Sequence, residues 1–247
     1  MEKIYEWADQ KIVHYGLKHI FTFSKLTQGQ IFNLYKIKAL VIQPGVDTDF
    51  LNQKTPGNFE TAYKLNQTFN ILQVGQFNYE KNQLLTIDVF QKIRQKVPQA
   101  KLILIGDGPL RTKIEEKIKE FKLEKDVILT GRLPLNSSLF AAFYRKASVL
   151  VFPSLIQSWG LVPFEALGFG VVPLVSENSG CADVIKRERI GLVMKPNPND
   201  YYRKLIYIYE NQKEMKKIAT KGRKYTLDNL TYEAYSRKFR EQIWKLR

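Results

Sequence analysis

The run FNILQVGQFNYEKNQLLTIDVFQKIRQKVPQAKLILIGDGPL, residues 69–110, decides the fold. It opens on the apolar stretch 69–74 and passes a glycine at 75. It then carries Leu85, Val89, Ile93 and Val97 at four-residue spacing before a second apolar stretch, 102–105. A short continuous apolar run reads as a strand covered on both faces, and four-residue spacing reads as a helix with one buried stripe. The alternation continues outward. Leu110, Ile114, Ile118 and Phe121 mark a second helix, with Pro109 just inside its start, where a missing N–H costs nothing. Further apolar runs follow at 127–129, 149–152, 171–175 and 192–194. Strand–helix repetition of this kind predicts an α/β fold, a doubly wound parallel sheet.

Residues before 68 fit that alternation less well. The stretch 9–35 reads as helix, strand (HIFTFS, 19–24) and helix, and VIQPGVDTDF (41–50) as a short strand running into a Pro-Gly turn. At the other end, Tyr232, Tyr235, Phe239, Ile243 and Leu246 mark one face of a last helix. No internal repeat or low-complexity tract interrupts the chain.

Composition narrows the chemistry. One cysteine in 247 residues, Cys181, excludes an internal disulfide and a Cys-rich zinc site. Two histidines, His14 and His19, are too few for a histidine-based metal centre without carboxylate help. No apolar run approaches the roughly 20 residues that span a bilayer, and the first residues lack a signal-peptide core. A cytoplasmic protein is expected. The net charge is +15, and residues 201–247 hold 13 Lys/Arg against 5 Asp/Glu, 13 − 5 = +8. Such a field attracts polyanions. No nucleic-acid motif accompanies the charge, so nucleic acid is not the expected partner; an anionic membrane surface is. Solvated helix faces account for the same charge equally well.

In an open parallel sheet, ligands sit beyond the carboxyl ends of the strands. Four such ends carry suggestive residues. VGQFNYEKN has Gly75 at a turn and Lys81 at the next helix. IGDGPLR has Gly106 and Gly108 around Asp107. LTGRLP centres on Gly131, and PSLIQSWGLVPFEALGFG holds Gly160 and Glu165. Backbone amides at a helix start preceded by glycine suit phosphate, and the segment 158–161 is such a place. Glu165, five residues on, can accept both hydrogens of a vicinal diol such as ribose. Glycines after strands are also ordinary turn formers, a lone lysine is usually solvated, and Asp107 reads as a turn or cap residue. Glu165 resists so plain a reading, because an unpaired carboxylate in an apolar helix is costly. Cys181 reads as a small buried residue.

Taken in order, these segments resemble glycosyltransferase family 4, whose GT-B architecture sets two Rossmann-like domains face to face. VGQFNYEKN resembles the family's Gly-Arg-…-Lys-Gly/Asn segment, KLILIGDGPLR its Gly-Asp-Gly-Pro strand end, and VILTGRLP its nucleobase-side loop. The stretch 153–173 resembles its Pro-Ser-…-Glu-…-Phe/Trp-Gly-…-Glu-Ala-…-Gly-…-Pro signature, and IGLVMKPNP a later Asn-Gly-Leu-Leu-Val-…-Pro segment.

The resemblance implies a retaining transferase that moves a sugar from a nucleoside-diphosphate sugar to a glycan or lipid-linked acceptor, in polysaccharide or glycoconjugate biosynthesis. It implies catalytic roles for Lys81, Gln157 and Glu165: Lys81 on the pyrophosphate, Glu165 on the ribose. Gly75, Gln76, Gly106, Gly108, Ser158 and Trp159 line the donor, and the amides around Gly160, Leu161 and Val162 hold its phosphates, so no divalent metal is required. Arg132 and Leu133 lie along the base. Two positions depart from the family: its arginine is Gln76, and the first glutamate of its Glu-(seven residues)-Glu pair is Gln157. Donor binding is expected to survive these changes better than rate.

The implied organisation is a remnant of the acceptor domain at 1–52, a linker at 53–67, the nucleotide-sugar-binding domain at 68–228 and a C-terminal helix at 229–247. Only 40 residues precede VIQPGVDTDF, so transfer is expected to need a partner subunit that supplies the acceptor domain. A non-catalytic nucleotide-sugar-binding or scaffold protein is the alternative, and a sugar-nucleotide epimerase of the same architecture a third.

Overall fold

A computed structural model describes residues 19–246. The helix expected from residue 9 and His14 lie outside the described residues. The described residues open with a small parallel unit, β1 (Phe21–Thr22), α1 (Lys25–Tyr35) and β2 (Leu40–Val41). The strand expected over HIFTFS stops at Thr22 because Ser24 turns to cap α1, accepting from the Thr27 amide at 3.1 Å. Two short helices follow, α2 (Thr48–Leu51) and α3 (Phe59–Tyr63).

The stretch 53–67 reads as a polar linker from composition, yet it is anchored. Phe59 and Leu65 are buried, and the Phe59 ring meets Phe143 edge-on at 5.0 Å. Two apolar side chains placed one helical turn or more apart suffice to dock an otherwise polar segment.

The main body alternates as expected: β3 (Phe69–Val74), α4 (Gln83–Lys96), β4 (Ala100–Ile105), α5 (Arg111–Glu120), β5 (Val127–Gly131), α6 (Ser138–Lys146) and β6 (Val149–Phe152). It continues with α7 (Val162–Gly168), β7 (Val172–Ser176), α8 (Ala182–Glu188) and β8 (Leu192–Met194). Three helices close the chain: α9 (Pro198–Glu210), α10 (Gln212–Asn229) and α11 (Tyr232–Lys245). Thr231 caps α11 by accepting from the Ala234 amide, which separates it from α10.

The six strands lie in the order β5-β4-β3-β6-β7-β8, and all neighbours are parallel. Alternate residues face opposite layers. Leu102 and Leu104 join one core with α4, α5 and α9, while Ile103 and Ile105 join the other with α6. A third cluster packs α7 and α8 around Phe152 and Val175. This is a doubly wound, Rossmann-like α/β fold. The chain moves one way from β3 to β5, then returns to β6 beside β3 and moves the other way. The strand order therefore reverses between β3 and β6, and the crevice opens there.

Candidate functional site

The loops after β3 and β6 meet at the reversal. Asn78 ends the first loop's extended run and caps a 3₁₀ turn, Tyr79–Lys81, by accepting from the Lys81 amide at 3.0 Å. Gln73, buried in β3, donates its Nε2 to the Lys81 carbonyl at 2.7 Å and pins the turn from below. The Leu155 amide donates to the Glu80 carbonyl at 2.8 Å, tying the β6 loop to the β3 loop. Across this tie Lys81 Nζ donates to Gln157 Oε1 and lies over the Phe152 ring, 5.5 Å from its centroid. Burial pushes the Lys81 ammonium below its ordinary value, with Glu80 pulling the other way.

The β6 loop is held from its far side by the loop after β7. The Gly180 amide donates to the Gln157 carbonyl at 2.8 Å and the Cys181 amide to the Trp159 carbonyl at 3.2 Å. At Gly160, φ is +96°, and a Cβ would meet the Phe152 ring at 2.8 Å, so only glycine turns the chain here. Leu161 then opens α7. Among the described residues, the amides of Gly160, Leu161 and Val162 have no backbone acceptor. Pro163 has no N–H to add, so the helix start presents a short, fixed set of donors.

Glu165 stands in the first turn of α7, half-buried. Its Oε2 accepts from the Tyr144 hydroxyl at 2.6 Å. Burial raises the Glu165 carboxyl above its ordinary value, and this hydrogen bond partly offsets the rise. Tyr144 on α6 is fully buried; burial and the adjacent carboxylate hold its phenol well above its usual value, so it stays a donor. A buried hydroxyl without a partner costs about 1–3 kcal/mol, which is why the pair forms.

The remaining expected residues divide. Gly75, Gln76, Gly106 and Gly108 lie past the adjoining ends of β3 and β4, with Gly75 against the Lys81 side chain. Gly106 has a packing reason of its own: a Cβ there would sit 2.0 Å from the Gly75 carbonyl oxygen, so the two loops can touch only through glycine. The Gln76 side chain and Ser158 are exposed. Trp159, expected along the donor, turns its indole inward instead. It is buried and stacked on Phe164 at 4.9 Å, which leaves its main chain to the site. Arg132 is exposed and Leu133 packs against the α6 core, both beyond β5, two strands from Lys81. Cys181 is buried, with its thiol pushed up to about 12 by burial, which makes it inert.

Tyr144, Gln73 and Phe152 escape a reading of the sequence. Gln73 alone left a trace, a polar residue inside an apolar strand. A concavity of about 970 Å³ lies elsewhere, along β8 between Lys186 and Arg203, and contains none of these residues. Among the described residues, no group of three or more His, Cys, Asp or Glu is placed to hold a metal.

The structure is similar to that of Anabaena HepE crystallised with UDP and glucose, with a TM-score of 0.85, 15% identity, and coverage of 99% of this chain and 68% of that one. Sucrose-phosphate synthase from Thermosynechococcus elongatus gives a TM-score of 0.82 at 20% identity, covering 99% and 62%. In sequence, an uncharacterized glycosyltransferase of Methanocaldococcus jannaschii is 28% identical over 207 residues, 78% of this chain and 52% of its own length. The amylovoran biosynthesis glycosyltransferase AmsD of Erwinia amylovora is 21% identical over 194 residues, again 78% and 52%. The chain thus spans about half the length of the curated relatives it matches. Residues 59–225 match the family model described as glycosyl transferases group 1, and the chain belongs to that family of transferases, with the Rossmann-like fold of the GT-B enzymes.

Proposed function

We propose that this chain is the donor-binding half of a retaining glycosyltransferase acting on a nucleoside-diphosphate sugar. The observation that carries the reading is the meeting of Lys81 and Gln157 at the strand reversal, with Glu165 one loop away. The Lys81 ammonium and the amides of Gly160, Leu161 and Val162 take the diphosphate, and Glu165 takes the ribose. As the bond from the sugar's anomeric carbon to the diphosphate oxygen breaks, negative charge gathers on the leaving group. Lys81 and those amides are preorganised to receive it. No divalent metal is needed, so a chelator should leave donor affinity unchanged. Arg132 and Leu133, at the far strand end, border the base.

The acceptor is a glycan or a lipid-linked sugar. AmsD is named for amylovoran biosynthesis, which supports a place in polysaccharide or glycoconjugate assembly. The facing wall of the crevice comes from a second Rossmann-like domain, on this polypeptide or on a partner subunit. Lys213, Lys216, Lys217, Lys221 and Lys224 form one stripe along α10, although Lys221 already donates to the Glu188 carbonyl and Lys224 to Asp228. This stripe suits an anionic membrane on the cytoplasmic side, and no described helix is long and apolar enough to cross one. Equal sedimentation with neutral and anionic vesicles would count against that location.

Thermal unfolding with added UDP- and GDP-sugars tests the donor reading. A ligand at about 100 times its Kd adds about 2.7 kcal/mol and raises the midpoint by several degrees. An unmoved midpoint at millimolar ligand overturns it. Gln76 and Gln157 favour a second reading, a binding protein without transfer activity. Donor-dependent transfer in the presence of the facing domain separates the two.

A further inference from the structure

Tyr144, the partner of Glu165, sits among phenylalanines. Tyr144 stacks on Phe169 at 5.2 Å and 20°, and meets Phe50 edge-on at 5.7 Å and Phe140 at 5.4 Å. Phe50 and Phe140 are themselves buried. A phenylalanine at 144 would fill the same space with the same ring. The hydroxyl is therefore not there for packing. It is fully buried, and its hydrogen bond is to Glu165 Oε2 at 2.6 Å.

A carboxylate on a half-exposed helix turn can swing about two side-chain torsions and rotate about a third. Fixing one oxygen fixes the plane of the group. Glu165 Oε2 is the fixed oxygen; among the described residues Oε1 accepts no hydrogen bond. The two oxygens offer about four acceptor positions, of which the phenol takes one. The free edge of the carboxylate is thereby presented in a single orientation, as a cis diol requires.

We propose that Tyr144 is a positioning residue that holds Glu165 in the orientation in which its free edge receives the 2′- and 3′-hydroxyls of the donor's ribose. This rests on the ribose role given to Glu165 above. The phenol touches no donor atom. It makes the site selective for ribonucleotides over their 2′-deoxy counterparts, because a carboxylate already oriented gains most from a ligand carrying both hydroxyls.

The test is a titration of the full chain and of Tyr144→Phe with UDP and 2′-deoxy-UDP, and with GDP and 2′-deoxy-GDP. In the unaltered protein the ribonucleotide of the accepted base should bind about tenfold more tightly than its deoxy form, the size of one hydrogen bond to a charged group. In Tyr144→Phe that preference should fall to about twofold or less, with the affinity for the deoxy form, which keeps its 3′-hydroxyl, falling less than that for the ribonucleotide. A variant that keeps the full preference, or that loses both ligands equally, overturns the proposal and leaves the donor site standing. Absence of binding by the unaltered protein overturns the donor site itself, and binding without a ribose preference overturns the role of Glu165. A second measurement needs no variant. With tyrosine labelled at its ring carbon Cζ, the Tyr144 signal should move on adding the ribonucleotide and less on adding the deoxy form; equal displacement by both contradicts the assignment.

Discussion

Lys81 Nζ and Gln157 Oε1 share a hydrogen bond across the line where the strand order of the sheet reverses, one residue arriving from β3 and the other from β6. Neither position is near the other in the chain. The reversal brings them together, and the Leu155–Glu80 backbone bond holds them so. The cation at this junction is only half-buried, and its one side-chain partner is a neutral amide.

Lys81→Met keeps most of the stem volume over Phe152 and removes the charge. Affinity for a nucleoside diphosphate should fall about tenfold or more, in line with the loss of a charge-assisted hydrogen bond. Because burial depresses the Lys81 ammonium, binding to the unaltered protein should weaken as pH rises through a point below lysine's usual value. A pH–affinity profile that is flat from neutrality to pH 10 argues against Lys81 as the phosphate contact.

Gln157→Glu places a carboxylate against Lys81. The ion pair should raise the Lys81 ammonium and set a negative charge beside the diphosphate. Nucleoside diphosphates should bind several-fold more weakly, an effect of about 1 kcal/mol that salt reduces. Tighter binding at low salt would show that Gln157 does not face the phosphates.

Much of this was legible before any coordinates. Strands 102–105 and 149–152 are buried on both faces, so their sequences are continuous apolar runs that no amphipathic helix imitates. The strand-end position of the 158–161 segment followed from the second of these. Three things were not legible. Tyr144 sits in SLFAAFYRK as one more aromatic on a buried helix face, and its hydroxyl has meaning only once α6 lies beside α7. Trp159 lies in the right loop, but its indole turns inward to stack on Phe164, a contact that exists only once the loop has folded onto α7. The stretch 53–67 is polar on average, while its docking depends on a few side chains, Phe59, Tyr63 and Leu65, whose partners lie far off in the chain.

Glu165 provides a test with a definite sign. Its carboxyl is raised in the folded state, so between the ordinary and the raised value the folded protein holds a proton that the unfolded chain has lost. Stability therefore falls as pH rises through that window. Glu165→Gln should melt a few degrees higher than the unaltered protein at pH 7, and the difference should vanish below the usual carboxylate range. A destabilised variant at pH 7 contradicts the burial argument.

Cys181, fully buried and with its thiol pushed up to about 12, should resist alkylation in the folded protein and react fully in denaturant. Mass spectrometry after iodoacetamide treatment reads the outcome. Rapid labelling without denaturant would mean that the loop after β7, which supports Gln157 and Trp159, opens.

The most direct test of the account is calorimetric titration of the chain, and of Glu165→Ala, with UDP, GDP and their sugar conjugates. One base family should bind the unaltered chain at or below millimolar concentration, and Glu165→Ala should weaken it about tenfold or more. No heat with any ligand at millimolar concentration contradicts the donor site, and equal affinity in Glu165→Ala contradicts the residue on which the site is centred.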